Sequence, residues 1–308
     1  MQPKVVALGG GHGLATTLTA LRALTSEITA VVTIADNGGS SGRLREEFGC
    51  LPPGDLRMAL AALCSDDAWG RSWAELMQYR FTSEGPMDGH AVGNLLLSAL
   101  WDKDGGTVSS LDKVGELLKT VGRVLPMALD PLDIEGTFLV KGEEKVVRGQ
   151  VQVATAAGKM TSLRLIPDRP TLCPESLEAI ASADFITIGP GSWLSSVMPH
   201  FLLPELSEAI ADSPAKKILI FNMPAPSSED EFAGYTVAEH LQLLMEHAPN
   251  LRIDRGIIDQ SVSDARENLQ VELERLGGEV IVADLAASDI SYHHDPKKLT
   301  MTLSHILR

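Results

Sequence analysis

Val5-Val6-Ala7-Leu8 runs into Gly9-Gly10-Gly11-His12-Gly13-Leu14, and Ile28 to Ile34 runs into Ala35-Asp36-Asn37-Gly38-Gly39-Ser40-Ser41-Gly42-Arg43. Each stretch is an apolar run of strand length followed at once by a glycine-rich turn. In an open parallel sheet the ligand sits beyond the carboxyl ends of the strands. Glycine there lets main-chain N–H groups approach an anion with no Cβ in the way. Two such turns after two buried strands predict a nucleotide-type crevice.

Outward from this segment the alternation continues. Helical patterns cover Leu14 to Leu24, Asp55 to Leu63, Trp69 to Tyr79 and Ala91 to Trp101. Strands are expected at Phe185 to Ile188, Ile218 to Phe221, Ile253 to Ile258 and Val280 to Ala283. Helices are expected from Ser192 and Pro204, at Val237 to His247 and at Pro296 to Leu307, the last capped by Asp295. The fold class is therefore α/β: a Rossmann-like, doubly wound, mostly parallel sheet. Between the halves, residues 124–166 hold short β-branched runs separated by glycine and charge, which read as an antiparallel insertion. With no low-complexity linker, residues 1–308 are read as one domain.

A chain of 308 residues with net charge −15 and 5% aromatic residues shows no basic stripe, which excludes nucleic acid as a partner class. No apolar run reaches the roughly 20 residues of a membrane span, and no export signal opens the chain, so a cytoplasmic protein is expected. Cys50, Cys64 and Cys173 fit neither a disulfide framework nor a zinc site. A homo-oligomer is expected.

Several further segments carry chemistry. Pro52-Pro53-Gly54-Asp55-Leu56-Arg57 reads as a turn into a helix, with Asp55 either its N-cap or, with Arg57, a group at the crevice mouth. Arg43, Arg45 and Arg57 either attract a small anion or pair with Glu46, Glu47 and Asp55. Gly89-His90-Ala91-Val92-Gly93-Asn94 opens another helix; the Asn94 amide meets a ligand or ties loops together. Gly189-Pro190-Gly191-Ser192 follows a strand and repeats the turn of the amino terminus, and Asn222 ends the next strand. Pro224 and Pro226 then hold a loop suited to a lid. His293 and His294 are expected on the surface. The first turn matches the dinucleotide fingerprint only in part, yet Asp36 stands about 25 residues beyond Gly11, where a ribose-binding carboxylate belongs, so NAD remains an alternative. No catalytic triad, nucleophile elbow or Walker lysine occurs.

Taken in order, Gly9-Gly10-Gly11-x-Gly13, Ala35 to Arg45, Pro52-Pro53-Gly54-Asp55, Gly89-His90-x-x-Gly93-Asn94 and Gly189-Pro190-Gly191-Ser192 resemble the bacterial gluconeogenesis-factor family over nearly the whole chain. That family is similar to the 2-phospho-L-lactate transferases of deazaflavin cofactor synthesis and shares their CofD-type fold. The resemblance implies a regulator of cell shape and wall synthesis during gluconeogenic growth, with a UDP-sugar such as UDP-N-acetylglucosamine as ligand and no required cofactor. It places Gly10, Gly11, His12 and Gly13 at the ligand, Asp36 and Asn37 at ribose or base, and Ser40, Ser41 and Arg43 at phosphate. Asp55, Arg57, Asn94, Gly189, Gly191, Ser192 and Asn222 complete the cleft. The transferase branch implies instead a guanosine diphosphate donor, a deazaflavin acceptor and magnesium, with Asp36 and Asp55 as its ligands. The chain departs from the family at His12, usually threonine, at Asn37, usually aspartate, and over Met223 to Ser227.

Overall fold

A computed structural model of the chain describes residues 2–223, 236–288 and 293–308. The opening Val5–Gly9 strand (β1) is buried at all five positions, as expected of a strand covered on both faces. It pairs in parallel with Ile28–Val32 (β2) on one side, Leu8 beside Val31, and β2 pairs with Arg123–Pro126 (β3). The chain then forms a separate antiparallel sheet from Asp133–Val140 (β4), Glu143–Arg148 (β5) and Lys159–Ile166 (β6). It returns to the far side of β1 as Phe185–Ile188 (β7), which sets Ile188 beside Leu8, and steps outward through Lys216–Ile220 (β8), Arg255–Asp259 (β9) and Glu279–Ala283 (β10).

The main sheet thus runs β10-β9-β8-β7-β1-β2-β3, and its winding reverses between β1 and β7. This is the switch point at which doubly wound sheets open a crevice. The expected α/β class with an antiparallel insertion is what forms. One boundary shifts: Val124 belongs to β3 of the main sheet, so the insertion begins only at Asp133.

One hydrophobic core continues from β1 and β2 to Ile134, Phe138 and Leu165 of the insertion. The helix Gly11–Leu21 packs against Pro53–Leu63 and Pro296–Ile306, with Leu14, Leu18 and Leu21 facing inward. Helices at Gly39–Phe48, Thr107–Leu118, Pro174–Ala181 and Arg266–Arg275 add to those the sequence predicts. The segment after Ser192 is a π-helix turn, Trp193–Val197, followed by a 3-10 turn, Met198–His200, where an α-helix was expected. Asp295 accepts from the Lys297 and Lys298 amides, the cap foreseen for the last helix. Among the described residues no helix is long and apolar enough to cross a membrane.

Leu18 is fully buried where the first helix meets the other two. Leu18→Ala is expected to cost about 2–5 kcal/mol of stability, the range for a cavity left in a packed core. Urea unfolding followed by circular dichroism measures it.

Candidate functional site

Because β2, β1 and β7 are neighbours in register, the turns that follow them leave the same edge of the sheet. They are in contact. A Cβ on Gly13 would sit 2.2 Å from the Pro190 carbonyl oxygen and 2.9 Å from Gly191 Cα, so the first and third turns touch main chain to main chain. A Cβ on Gly10 would meet Thr33 Cγ2 at 2.4 Å, the Asp55 carboxylate at 2.5 Å and the Ser196 hydroxyl at 3.2 Å. Thr17 on the first helix adds a bond to the Gly189 carbonyl at 3.3 Å. Glycines stand at both N-caps, Gly10 and Gly38, and supply no side-chain cap, so apart from the Gly11 amide the first turns of these helices present main-chain donors at this edge.

Two carboxylates form the floor. Asp36 accepts from the Gly38 amide at 2.9 Å. Asp55 is not the N-cap of its helix; Pro52 holds that position, and Asp55 lies half-buried in the first turn with its carboxyl bonded to the Gly11 amide. Burial, then the nearby Asp36 charge, push Asp55 up to about 7, against the smaller downward pull of that amide and of Arg57. One glycine amide expected to serve the ligand is thereby already occupied.

Arg57 is interior. Its burial, and the like charge of Arg80, pull the guanidinium down to about 10, while Asp55 and Asp36 hold it up. Its Nε donates to Asn94 Oδ1 at 2.8 Å, Asn94 Nδ2 donates to Ser40 Oγ at 3.0 Å, and Ser40 Oγ lies 3.0 Å from His90 Nδ1. The direction of this chain is determined. A guanidinium only donates, so the Asn94 amide turns its oxygen to Arg57 and its nitrogen to Ser40. Ser40 also accepts from the Ala91 amide at 3.4 Å and is left to donate to His90, whose Nδ1 is therefore bare. Burial first, and then Arg43, lower the His90 pKa, consistent with a neutral ring. Asn94 is accordingly a tie between loops. Arg57 NH1 is buried with no partner, as is the Thr33 hydroxyl.

The remaining residues divide between the crevice and its supports. Asn222 is a clamp: its Oδ1 takes the Gly191 amide at 2.9 Å and its Nδ2 donates to the Gly191 carbonyl at 2.8 Å. Ser192 accepts from the Ser195 amide at 3.1 Å, and Gly189 N–H bonds back to Leu8. Asn37 accepts the Gln150 amide of the insertion at 3.1 Å. Arg43 is exposed and donates to the Pro86 and Asp88 carbonyls at 3.1 and 2.5 Å, with no carboxylate partner among the described residues. The expected pairing of arginines with Glu46, Glu47 and Asp55 does not form among the described residues; Arg45 pairs with Asp133 at 2.8 Å. His12 is exposed, its pKa lowered by burial of part of its ring and by His293, Arg57 and Arg80 nearby. Ser41 is buried beside Gly54. His294, expected on the surface, is instead buried, its pKa lowered to about 4 by desolvation. The lid expected at Pro224 and Pro226 lies outside the described residues.

Sequence reasoning did not single out Thr33, Arg80 or Ser196. A hydroxyl in an otherwise apolar run was the available signal for Thr33; the other two reach the site only through tertiary structure.

The family model described as 2-phospho-L-lactate transferase CofD matches residues 5–292. A Mycobacterium leprae protein bearing the gluconeogenesis-factor designation is 44% identical over 99% of this chain and 86% of its own. The gluconeogenesis factor of Listeria innocua is 33% identical over 99% of this chain and 96% of its own. A solved UPF0052-family protein from Bacillus halodurans superposes with a TM-score of 0.85 at 32% identity, over 98% of this chain and 99% of that one.

A carboxyl that titrates near 7 when folded but near 3.8 when unfolded binds an extra proton on folding in that window, so stability falls as pH rises through it. Asp55→Asn keeps an acceptor for Gly11 and removes the buried charge. It is expected to raise the melting temperature at pH 8 and to change it little at pH 5; an equal shift at both would contradict the placement.

Proposed function

The chain belongs to the CofD family, in its gluconeogenesis-factor branch, and on that premise we propose that it binds a nucleoside-diphosphate sugar of the UDP-N-acetylglucosamine kind as a cytoplasmic regulator of cell shape and wall synthesis during gluconeogenic growth. The observation that carries the reading is the convergence of three turns at the switch point, with two helix starts whose glycine N-caps bring no side chain of their own. Open N-terminal turns and glycine main chain suit a diphosphate. Among the described residues Arg43 is bonded to neutral carbonyls, which leaves its charge for an anion at the rim. The regulatory and cell-shape role comes from the family resemblance.

A second reading rests on one observation, the Asp36 and Asp55 pair beside these turns. In a phospholactyl transfer from a guanosine diphosphate donor to a deazaflavin, these two would hold magnesium, with ligand phosphates and water completing the shell. No third His, Cys, Asp or Glu joins them among the described residues. Bound there, magnesium would neutralise charge developing on the guanosine monophosphate that leaves when the donor's diphosphate bridge is cleaved.

Calorimetric titration with UDP-N-acetylglucosamine, free of magnesium, is expected to show saturable heat; no heat and no thermal shift at millimolar ligand would remove the first reading. Arg43→Ala is expected to weaken binding by about 1.5–3 kcal/mol, the scale of a charged hydrogen bond. The pH profile separates the readings. Ionising Asp55 adds negative charge opposite the phosphates, so metal-free binding is expected to weaken between pH 6 and pH 8. Magnesium-dependent binding that strengthens over that range, together with product from deazaflavin and the guanosine donor, would favour the transferase.

A further inference from the structure

Among the described residues the antiparallel sheet ends at β5, a six-residue strand, Glu-Glu-Lys-Val-Val-Arg, whose one strand partner is β4. Five of its six residues are exposed, and Val146 is 61% exposed. Such an edge is normally protected by proline, a bulge, brevity or charge, and β5 uses charge alone, with Glu143, Glu144, Lys145 and Arg148. β5 has no proline, and its register with β4 runs without interruption from Glu135 opposite Arg148 to Val140 opposite Glu143. The other edge is different, since the β4–β6 register shifts at Thr137/Phe138.

The unused backbone groups of β5 can be assigned. The Gly149 amide donates to the Ile134 carbonyl at 2.8 Å, and an antiparallel ladder alternates, so Glu143, Lys145 and Val147 bond to β4. The N–H and C=O groups of Glu144, Val146 and Arg148 then point to the free side. The same three side chains share the outer face, opposite Leu139, Thr137 and Glu135, while Lys145 opposes the buried Phe138.

We propose that β5 is the interface with a second copy of this chain, joined by antiparallel pairing about a two-fold axis through Val146. Residues facing each other across such an axis lie on the same face of the sheet. With Val146 against the partner's Val146, Glu144 faces the partner's Arg148 at both ends, and about six main-chain hydrogen bonds close the edges. A register one pair away puts Lys145 against the partner's Lys145 and Glu144 against the partner's Val146, and so is disfavoured. The charge count agrees. Asp133 is shared by Arg45 at 2.8 Å and Arg148 at 2.6 Å, two cations on one carboxylate, and the partner's Glu144 brings the missing negative charge. Val146 lies on the proposed axis, and Leu139, 42% exposed, lies diagonal to it on the same face of the sheet, opposite Glu144.

The interface reaches the crevice by a short path. Arg45 lies on the helix that starts at the second glycine turn, and the chain leaving β5 gives the Gln150 amide to Asn37 in that same turn.

Sedimentation velocity over a concentration series tests the proposal. The wild-type chain is expected to reach a dimer. Val146→Pro removes an amide that faces outward and no bond to β4, so it is expected to leave the fold intact, with an unchanged circular dichroism spectrum, and to yield monomer. Val146→Cys is expected to form a disulfide-linked dimer under oxidation, a product absent from the wild type with its three native cysteines. A wild-type monomer at every concentration, a Val146→Pro chain that stays dimeric, or a Val146→Cys chain that does not cross-link would each overturn it.

Discussion

The closeness of two main chains at the switch point is the constraint on which the rest depends. Between β1 and β7 the first and third turns meet with no side chain between them, at Gly13 and Pro190. Any Cβ there would drive the Gly189 turn off the first helix and, with it, Gly191, which Asn222 holds at both its amide and its carbonyl. Gly10, one step earlier, fills the same role toward Thr33, Asp55 and Ser196. The glycines thus do two things: they bring backbone to a crevice, and they let five separate segments close around it.

Closure has a consequence for the amides themselves. A glycine-rich turn reads as a set of free N–H groups, yet several are already engaged here. Gly11 donates to Asp55, Gly38 to Asp36, and Gly191 to Asn222. What remains for a ligand is the rest of the first turn of the helices that begin at Gly11 and Gly39, together with the side-chain donors around them. The buried chain from Arg57 through Asn94 and Ser40 to His90 holds two of those segments in one arrangement. Its polarity runs one way because its first member can only donate.

This division explains what could be read in advance. The strands β1, β2, β7 and β8 and the turns after them were legible because local pattern determines them: an apolar run, then glycine. The helix at Gly39–Phe48 was not, since glycine and serine open it and only Ser40, Ser41 and Leu44 are buried along it. Arg266–Arg275 likewise buries only Leu269 and Leu273, too sparse a stripe to mark a helix. Partners were harder still. Asn94 was open to two readings, and tertiary structure decided for the tie by bringing up Arg57 and Ser40. Asp55 was likewise open to two readings, N-cap or crevice mouth, and the partner that decided against the cap, Gly11, lies more than forty residues away.

The electrostatics then form a single problem: how a chain of net charge −15 could accommodate the anion proposed for it. The floor of the crevice carries two carboxylates, and if both were ionised they would oppose any phosphate placed over them. Burial and mutual repulsion keep Asp55 near its midpoint at neutral pH, so one of the two negative charges is partly removed without a metal ion. Arg57, under the same floor, compensates the other, and Arg80 and Arg43 stand at the margins. Locally, then, the crevice departs from the acidic surface around it. That local departure, more than net charge, governs which small molecule the crevice accepts.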